Sequence, residues 1–111
     1  MDLREEKVGG VTVVEVKGRI DSTTAPALGE RLTASLEAPK VRVLLDLSRL
    51  EYISSAGFRI LLLAAKRADA TGSRLVLCGI SGKVRQLFDL GGFLDLFTIA
   101  GSRDEGIAAA G

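Results

Sequence analysis

The sequence predicts an α/β fold in which a single domain, residues 1–111, is built on a mixed and mainly parallel β-sheet with helices. Three observations predict it. Short β-branched segments alternate with segments whose apolar residues recur every third or fourth position. The resulting order, β-β-α-β-α-β-α-β-α, joins most strands through helices, which favours parallel pairing. A length of 111 residues, 47% of them hydrophobic, suits one such domain.

The first two strands are predicted to form a hairpin. Residues 3–8 form a candidate first strand, and residues 11–16 are rich in the β-branched side chains that strands prefer. Gly9-Gly10 lies between them and is a pair typical of tight hairpin turns. We expect the second strand to end at Gly18 and the first to lie at an edge of the sheet.

The first helix is predicted to follow Thr23 or Thr24, either of which can cap it, with Pro26 in its first turn. Pro39 is expected to end it. The apolar stripe that should face the core recurs at every fourth position, at Leu28, Leu32 and Leu36.

The next strand is predicted over residues 41–47, whose nearly continuous apolar character suits a strand covered on both faces. The longest helix follows Ser54-Ser55 and should stop at Thr71-Gly72. Its buried face is predicted to contain Phe58, Leu61, Leu62 and Ala65, widened by Ile60 and Leu63.

Shorter elements complete the chain. A strand is predicted over residues 75–78, where Cys78 should be buried and unreactive, and a weaker one over residues 96–99. Between them a helix should begin after Ser81 and stop at Gly91-Gly92. Its inward residues are predicted to be Val84, Leu87 and Phe88. A capping box from Ser102 to Glu105 predicts a short final helix.

The composition excludes several classes of function. The net charge is +1, which gives no general attraction to nucleic acid or to an anionic membrane. The chain has no His and one Cys, so we expect no His-based catalytic site, no structural zinc and no disulfide. We also expect no cofactor. The mixed, charged N-terminus is unlike a signal peptide, and no apolar stretch is long enough for a membrane span. We therefore expect a cytoplasmic protein.

Two polar clusters fall where strands are predicted to end: Asp21-Ser22-Thr23-Thr24 and Ser54-Ser55-Ala56-Gly57. Binding sites of open parallel sheets gather at such ends. Each cluster also has a purely structural explanation. Asp21, like Asp46 within its strand, suits a carboxylate that accepts backbone N–H bonds, and the serines suit a helix N-cap. A serine at the positive end of a helix dipole would also tolerate a phosphate, so the residues alone leave both explanations open.

Three segments, in this order, resemble the bacterial anti-sigma factor antagonists, which are single STAS domains. Residues 18–26 are similar to the segment that follows the family's second strand. Residues 44–48 together with 52–62 resemble its signature strand, loop and helix, and they are the most specific match. Residues 84–93 are similar to its third helix and the turn after it. The resemblance covers nearly the whole chain and implies the STAS fold.

The resemblance implies a regulator that acts by partner switching, and not an enzyme. In that family the unphosphorylated antagonist binds an anti-sigma factor, which is also a serine kinase with a histidine-kinase-like ATPase fold. This binding frees the sigma factor. The kinase phosphorylates a loop serine, which releases the antagonist, and a serine phosphatase restores it.

The family's loop commonly contains Asp-Ser-Ser-Gly or Asp-Ser-Thr-Gly, with the phosphorylated serine two residues before the glycine. The resemblance therefore implies Ser55 as the phosphoacceptor, with Ser54 as the alternative. Ser54 stands where the family has Asp, and Ala56 where it has Ser or Thr. The implied partner-binding residues surround this loop and include an acidic position at Asp21: Asp21, Ser22, Thr23, Ser54, Ser55, Ala56, Gly57 and Arg59.

Other members of the same fold suggest alternative functions. STAS domains also occur as subunits of lipid-transport ATPase complexes, as stressosome scaffolds and as nucleotide-binding modules. A lipid-transport subunit would bind its ATPase constitutively and would need no serine cycle. A nucleotide-binding module would need an anion site, for which the backbone amides of residues 79–83 are the candidates.

Overall fold

The computed structural model describes residues 1–111 and places five strands in one sheet, in the order β1-β2-β3-β4-β5. The strands are β1 Asp2–Val8, β2 Val11–Ile20, β3 Arg42–Ile53, β4 Arg74–Cys78 and β5 Thr98–Ala100. The helices are α1 Ala25–Ser35, α2 Ser55–Thr71, α3 Gly82–Leu90 and α4 Arg103–Ala110. β1 pairs antiparallel with β2, and every other neighbouring pair is parallel. The predicted element order, the mainly parallel sheet and the edge position of β1 are confirmed.

Two apolar cores lie on opposite faces of the sheet. Helices α1, α2 and α3 cover one face and build the larger core, whereas α4 covers the other and contributes Ala110 to a smaller core. Successive side chains of a strand point to opposite faces. Leu44 accordingly belongs to the smaller core, and its neighbours Val43 and Leu45 belong to the larger one. Cover on both faces explains why the middle strands are almost continuously apolar.

The predicted hairpin is present, but β2 is longer than expected. Gly9 and Gly10 both have positive φ, at 56° and 82°, as the tight turn of a two-residue hairpin requires. β2 does not end at Gly18; it continues to Ile20, with its pairing to β3 shifted between Gly18 and Arg19. Gly18 has φ 101°, a conformation that glycine adopts readily, so here it marks an irregularity inside the strand.

The helix after β2 buries the predicted stripe of leucines. Leu28, Leu32 and Leu36 are each at most 1% exposed. The helix ends at Ser35, so Pro39 lies beyond its end and does not terminate it. Thr24 is the N-cap residue, yet its hydroxyl does not cap the helix and bonds elsewhere in the turn.

The third strand extends well beyond the predicted segment 41–47, as far as Ile53. In its second half only Leu50 and Ile53 are buried, while Ser48, Arg49 and Glu51 are exposed. This half pairs with the far end of β2 but not with β4, so one edge of the strand is unpaired there. These exposed polar residues interrupt the apolar run, so the apolar pattern of residues 41–47 does not extend over the whole strand.

The long helix has the expected start and stop, with Gly72 as a left-handed C-cap, but its buried face is rotated. Phe58 and Leu61 are buried as predicted, together with Ala64 and Ala68. Leu62 and Ala65 are only half-buried, and Leu63 is 53% exposed. Small alanines at the centre let the helix lie close to the sheet, which turns the larger leucines outward.

The last elements are close to the prediction. α3 buries Val84 and Phe88 and leaves Leu87 half-buried. The final strand is Thr98–Ala100 and not residues 96–99, because Leu94–Leu96 form a 3₁₀ turn before it. None of the helices is both long and apolar enough to cross a membrane.

Candidate functional site

The two polar clusters meet at one edge of the sheet. β2 and β3 are parallel neighbours that end at Ile20 and Ile53. The backbone N–H of Ser54 donates to the carbonyl of Ile20 at 2.9 Å, which ties the start of one loop to the end of the neighbouring strand. The turn after β2 and the start of α2 therefore form one continuous surface, at the strand ends where such sites are expected.

Asp21 organises the turn that leads into α1. Its Oδ1 accepts hydrogen bonds from the amides of Thr23 at 3.0 Å and Thr24 at 3.1 Å. The Thr24 hydroxyl accepts from the amide of Asp21 at 2.9 Å and donates to the carbonyl of Arg19 at 2.8 Å. Hydrogen bonds from the Thr24 and Thr23 amides hold the pKa of Asp21 below its ordinary value. Asp21 thus shapes the loop, while Ser22 and Thr23 stand exposed on it.

The two serines at the start of α2 have different environments. Ser54 is the N-cap residue, is half-buried, and its Oγ accepts from the amide of Gly57 at 3.4 Å. Ser55 is the first residue of the helix, is exposed, and its hydroxyl makes no hydrogen bond within the chain. The structural explanation of a helix cap therefore applies to Ser54, and the Ser55 hydroxyl is free for another use.

Gly57 is part of the site only as a spacer. It is buried, and a Cβ at this position would lie 2.6 Å from Cγ1 of Ile53 and 2.7 Å from Cγ2 of Ile20. Its missing side chain lets α2 start directly above the ends of β2 and β3. Gly57, predicted among the partner-binding residues, is thus buried beneath the loop, and any role in partner binding would be to let α2 begin close to the sheet. Ala56, beside it, is half-buried.

A groove of about 390 Å³ runs from Ser55 between α2 and the end of α3. Its floor is aromatic: the rings of Phe58 and Phe93 stack with centroids 4.2 Å apart. The other lining residues come from β3, α2, α3 and the turn after it: Tyr52, Ile53, Ser54, Ser55, Arg59, Leu62, Leu87 and Gly91. The groove therefore places an apolar surface directly beside the exposed serine.

Two arginines give this edge positive charge. The guanidinium carbon of Arg19 lies 4.4 Å from the centroid of the Tyr52 ring, a cation–π contact between paired residues of β2 and β3. Arg59 is exposed, lines the groove and forms no salt bridge. The site thus combines a free hydroxyl, a helix N-terminus, an apolar groove and two cations.

Sequence reasoning missed a second cluster, centred on Arg103 at the start of α4. Its guanidinium meets carboxylates from three strands: Glu6 at 2.5 Å, Glu15 at 2.8 Å and Asp46 at 2.8 Å. Asp46 also accepts from the amide of Ser48 at 2.9 Å, as the structural explanation predicts. Burial alone would raise the pKa of Asp46, but the hydrogen bonds from Ser48 and Arg103 outweigh it and lower that pKa. These contacts fasten α4 to the sheet.

No group of three or more His, Cys, Asp or Glu side chains is arranged to hold a metal ion. The three carboxylates that do converge are occupied by Arg103. Cys78 is fully buried, as predicted, and burial raises the pKa of its thiol to about 11, with the nearby Asp46 charge acting in the same direction.

Comparison with known proteins agrees with this architecture. The sequence pattern of the STAS domain matches residues 3–106. BtrV of Bordetella bronchiseptica, named as a candidate anti-sigma factor antagonist, is 40% identical over 109 residues, covering 98% of this chain and 94% of BtrV. The anti-sigma-B factor antagonist of Listeria monocytogenes is 32% identical over 84 residues, covering 76% of this chain and 74% of that protein.

A solved structure shows the same fold. The crystal structure of an anti-sigma factor antagonist from Mycobacterium paratuberculosis superposes with a TM-score of 0.84 at 29% identity. The match covers 98% of this chain and 92% of that one. The chain belongs to the STAS domain family, and its named relatives are anti-sigma factor antagonists.

Proposed function

We propose that this protein is an anti-sigma factor antagonist that acts in the cytoplasm by partner switching, with Ser55 as its phosphoacceptor. In its unphosphorylated form it binds an anti-sigma factor that is also a serine kinase with a histidine-kinase-like ATPase fold. Phosphorylation of Ser55 ends that binding, and a serine phosphatase restores it. The names of the relatives support the antagonist function, and the resemblance of the loop supports the cycle.

The single observation that carries this assignment is the difference between the two serines. A kinase needs a hydroxyl that it can reach, and Ser55 is exposed with its hydroxyl unbonded. Ser54 already uses its oxygen to accept the Gly57 amide. Asp, which the family has at the position of Ser54, is also a favoured N-cap residue. Ser54 can therefore replace the family's Asp in capping α2 without becoming the acceptor.

The position of Ser55 suits a switch that acts on binding and leaves the fold intact. A phosphate carries about −1.5 to −2 charges at neutral pH and is favourable at the positive end of a helix. At an interface the same group must be desolvated, and a dianion without a cationic partner costs several kcal/mol there. A loss of about 3 kcal/mol weakens binding more than a hundredfold.

The partner surface surrounds this serine. A standard interface buries about 800 Å² on each protein. The turn at residues 21–24, the start of α2 and the adjoining groove would form the centre of such an interface. The polar and charged residues proposed to contact the partner there are Asp21, Ser22, Thr23, Ser55 and Arg59, with Ser54 and Ala56 at the base of the loop.

The test is a phosphopeptide map and affinity purification of the tagged chain from its native host. Four versions are compared: the wild type, Ser55→Ala, Ser55→Asp and Ser54→Asn. Asn keeps the N-cap but removes the hydroxyl. We expect Ser55→Ala to lose the phosphopeptide and retain the anti-sigma factor, and Ser55→Asp to lose that partner while folding normally. Ser54→Asn should keep both the phosphopeptide and the partner.

Two results would count against the proposal. Phosphate on Ser55→Ala at the wild-type level would move the acceptor to Ser54 or elsewhere. Constant association with a transporter ATPase, unaffected by any change at Ser55, would favour the lipid-transport function described for other STAS domains.

A further inference from the structure

We propose that the guanidinium of Arg59 forms an ion pair with the phosphate group on Ser55. The chain would then carry its own counter-ion for the phosphorylated state. This inference rests on the proposed function, because it concerns how that modification acts. Arg59 follows Ser55 by four positions on α2, and side chains four apart on a helix are neighbours. Both residues line the same groove.

Neither side chain has another partner. Arg59 is exposed and makes no salt bridge or hydrogen bond within the chain, and the Ser55 hydroxyl is equally unbonded. A guanidinium offers a planar fork of donors that matches two phosphate oxygens. The unpaired amides in the first turn of α2 offer further donors to the same group. A phosphate on Ser55 would therefore find both a cation and backbone N–H groups within its own helix.

The other charged groups at this edge are already engaged. Arg19 lies over the ring of Tyr52, and the Asp21 carboxylate is held by the amides of Thr23 and Thr24. Asp21 is negative and repels a phosphate, which increases the need for a nearby cation. Arg59 is the arginine on the same helix face as Ser55, so it is the group best placed to pair with the phosphate.

Pairing changes the surface that a partner meets. Without phosphate, Arg59 is an unpaired cation at the rim of an apolar groove and is available to an acidic group of the partner. With phosphate, its charge is matched within the chain, and its side chain is drawn toward the start of α2. Release of the partner then has two causes, the added dianion and the withdrawal of Arg59.

The test uses the full chain with phosphoserine installed at position 55 during translation, so it requires neither the kinase nor the partner. Titration by ³¹P NMR measures the second pKa of the phosphate, which is ordinarily about 6. We expect Arg59→Gln to raise this pKa by roughly 0.2–0.4 of a unit, because the dianion loses its cation. Arg59→Lys, which keeps the charge, should raise it less.

Arg67→Gln is the matched control, since Arg67 is an exposed arginine of the same helix that lines a different groove. It should leave the phosphate pKa unchanged. The proposal is overturned if Arg59→Gln leaves the pKa unchanged, or if Arg67→Gln or Arg19→Gln raises it as much. Absence of phosphate on Ser55 in the host would refute the proposed function without altering this measurement, because the phosphate is installed directly.

Discussion

Arg103 and Asp46 are 57 positions apart in the sequence, yet Nε of the arginine lies 2.9 Å from Oδ2 of the aspartate. The aspartate side chain is 6% exposed and the arginine side chain 33%. One guanidinium at the start of the last helix thereby neutralises a carboxylate buried in the middle of the sheet. The contact connects α4, which has few large apolar side chains, to β3 at the centre of the molecule.

Loss of Arg103 should destabilise the protein. Arg103→Met keeps much of the apolar stem but leaves the Asp46 charge without its cation, and such losses cost about 3–5 kcal/mol when fully buried. Because Arg103 is one-third exposed, we expect about 1–3 kcal/mol by urea denaturation. Arg31→Met is the control: its pair with Glu5 spans 3.7 Å between exposed side chains and should be worth less than about 1 kcal/mol. Equal losses in both variants would contradict this interpretation.

The same contact predicts acid sensitivity. The pKa of Asp46 is lower in the folded protein than its ordinary value of 3.8, so its ionised form stabilises the fold. This contribution is complete above pH 3.8 and is lost as the pH falls through the lower, folded-state pKa. Asp21 acts in the same direction. Urea midpoints at pH 7 and pH 3 should therefore differ less in Asp46→Asn than in the wild type. An unchanged difference would exclude Asp46 as a source of the pH dependence.

Gly57→Ala should destabilise the start of α2. The added methyl would lie within 2.7 Å of both Ile20 and Ile53, so the helix must move away from the sheet. Overpacking of this kind costs about 1–3 kcal/mol. Gly29→Ala makes the same change inside α1, where the methyl meets only the flexible end of Ile60 at 3.0 Å, and its better helix propensity offsets the contact. Chemical denaturation should show a clear loss of unfolding free energy for Gly57→Ala and little or none for Gly29→Ala.

Ser54 should contribute to stability through its cap. Ser54→Ala removes the acceptor of the Gly57 amide and should cost about 1 kcal/mol, or a few degrees in Tm for a domain of this size. Ser54→Asn should stay near the wild type, because Asn caps equally well. A thermal melt compares the two. If Asn lowers Tm as much as Ala, the serine hydroxyl has a role other than capping.

Cys78 should be unreactive in the native protein. Its thiol is fully buried and its pKa is raised to about 11, so almost no thiolate is present at neutral pH. Labelling with a disulfide reagent at pH 8 should be slow and should become rapid in denaturant. Native labelling at the denatured rate would show that the face covered by α4 opens readily.

Short-range patterns in the sequence predicted most of the fold. The Leu28, Leu32 and Leu36 stripe and the Gly9-Gly10 turn depend on spacing and backbone chemistry within a few residues. The second half of β3 was missed because half of its side chains face solvent. The rotated face of α2 was missed because the close fit of small alanines against the sheet, and not the hydrophobicity of its leucines, decides which side is buried.

Some features of the candidate site could likewise be predicted from the sequence, and others could not. The sequence predicted that residues 21–24 and 54–57 lie at the carboxyl ends of strands, and the structure brings the two clusters together there. Two features could not be predicted. One is the burial of Gly57, which depends on its close packing against Ile20 and Ile53. The other is the Arg103 cluster, which joins residues from three strands and a helix. Contacts between such distant residues leave no periodic pattern in a single sequence.

The strand order also has a consequence for how the chain is made. Each strand lies beside the one synthesised just before it, so no later segment has to insert between two strands that are already paired. The nascent sheet can therefore grow from one side as translation proceeds, which keeps the search for partners short. The growing edge of the sheet stays exposed until β5, a strand of only three residues, pairs with β4 and becomes the final edge strand. The opposite edge is shielded from the start by the charged side chains of β1, which discourage pairing between neighbouring chains on the same messenger.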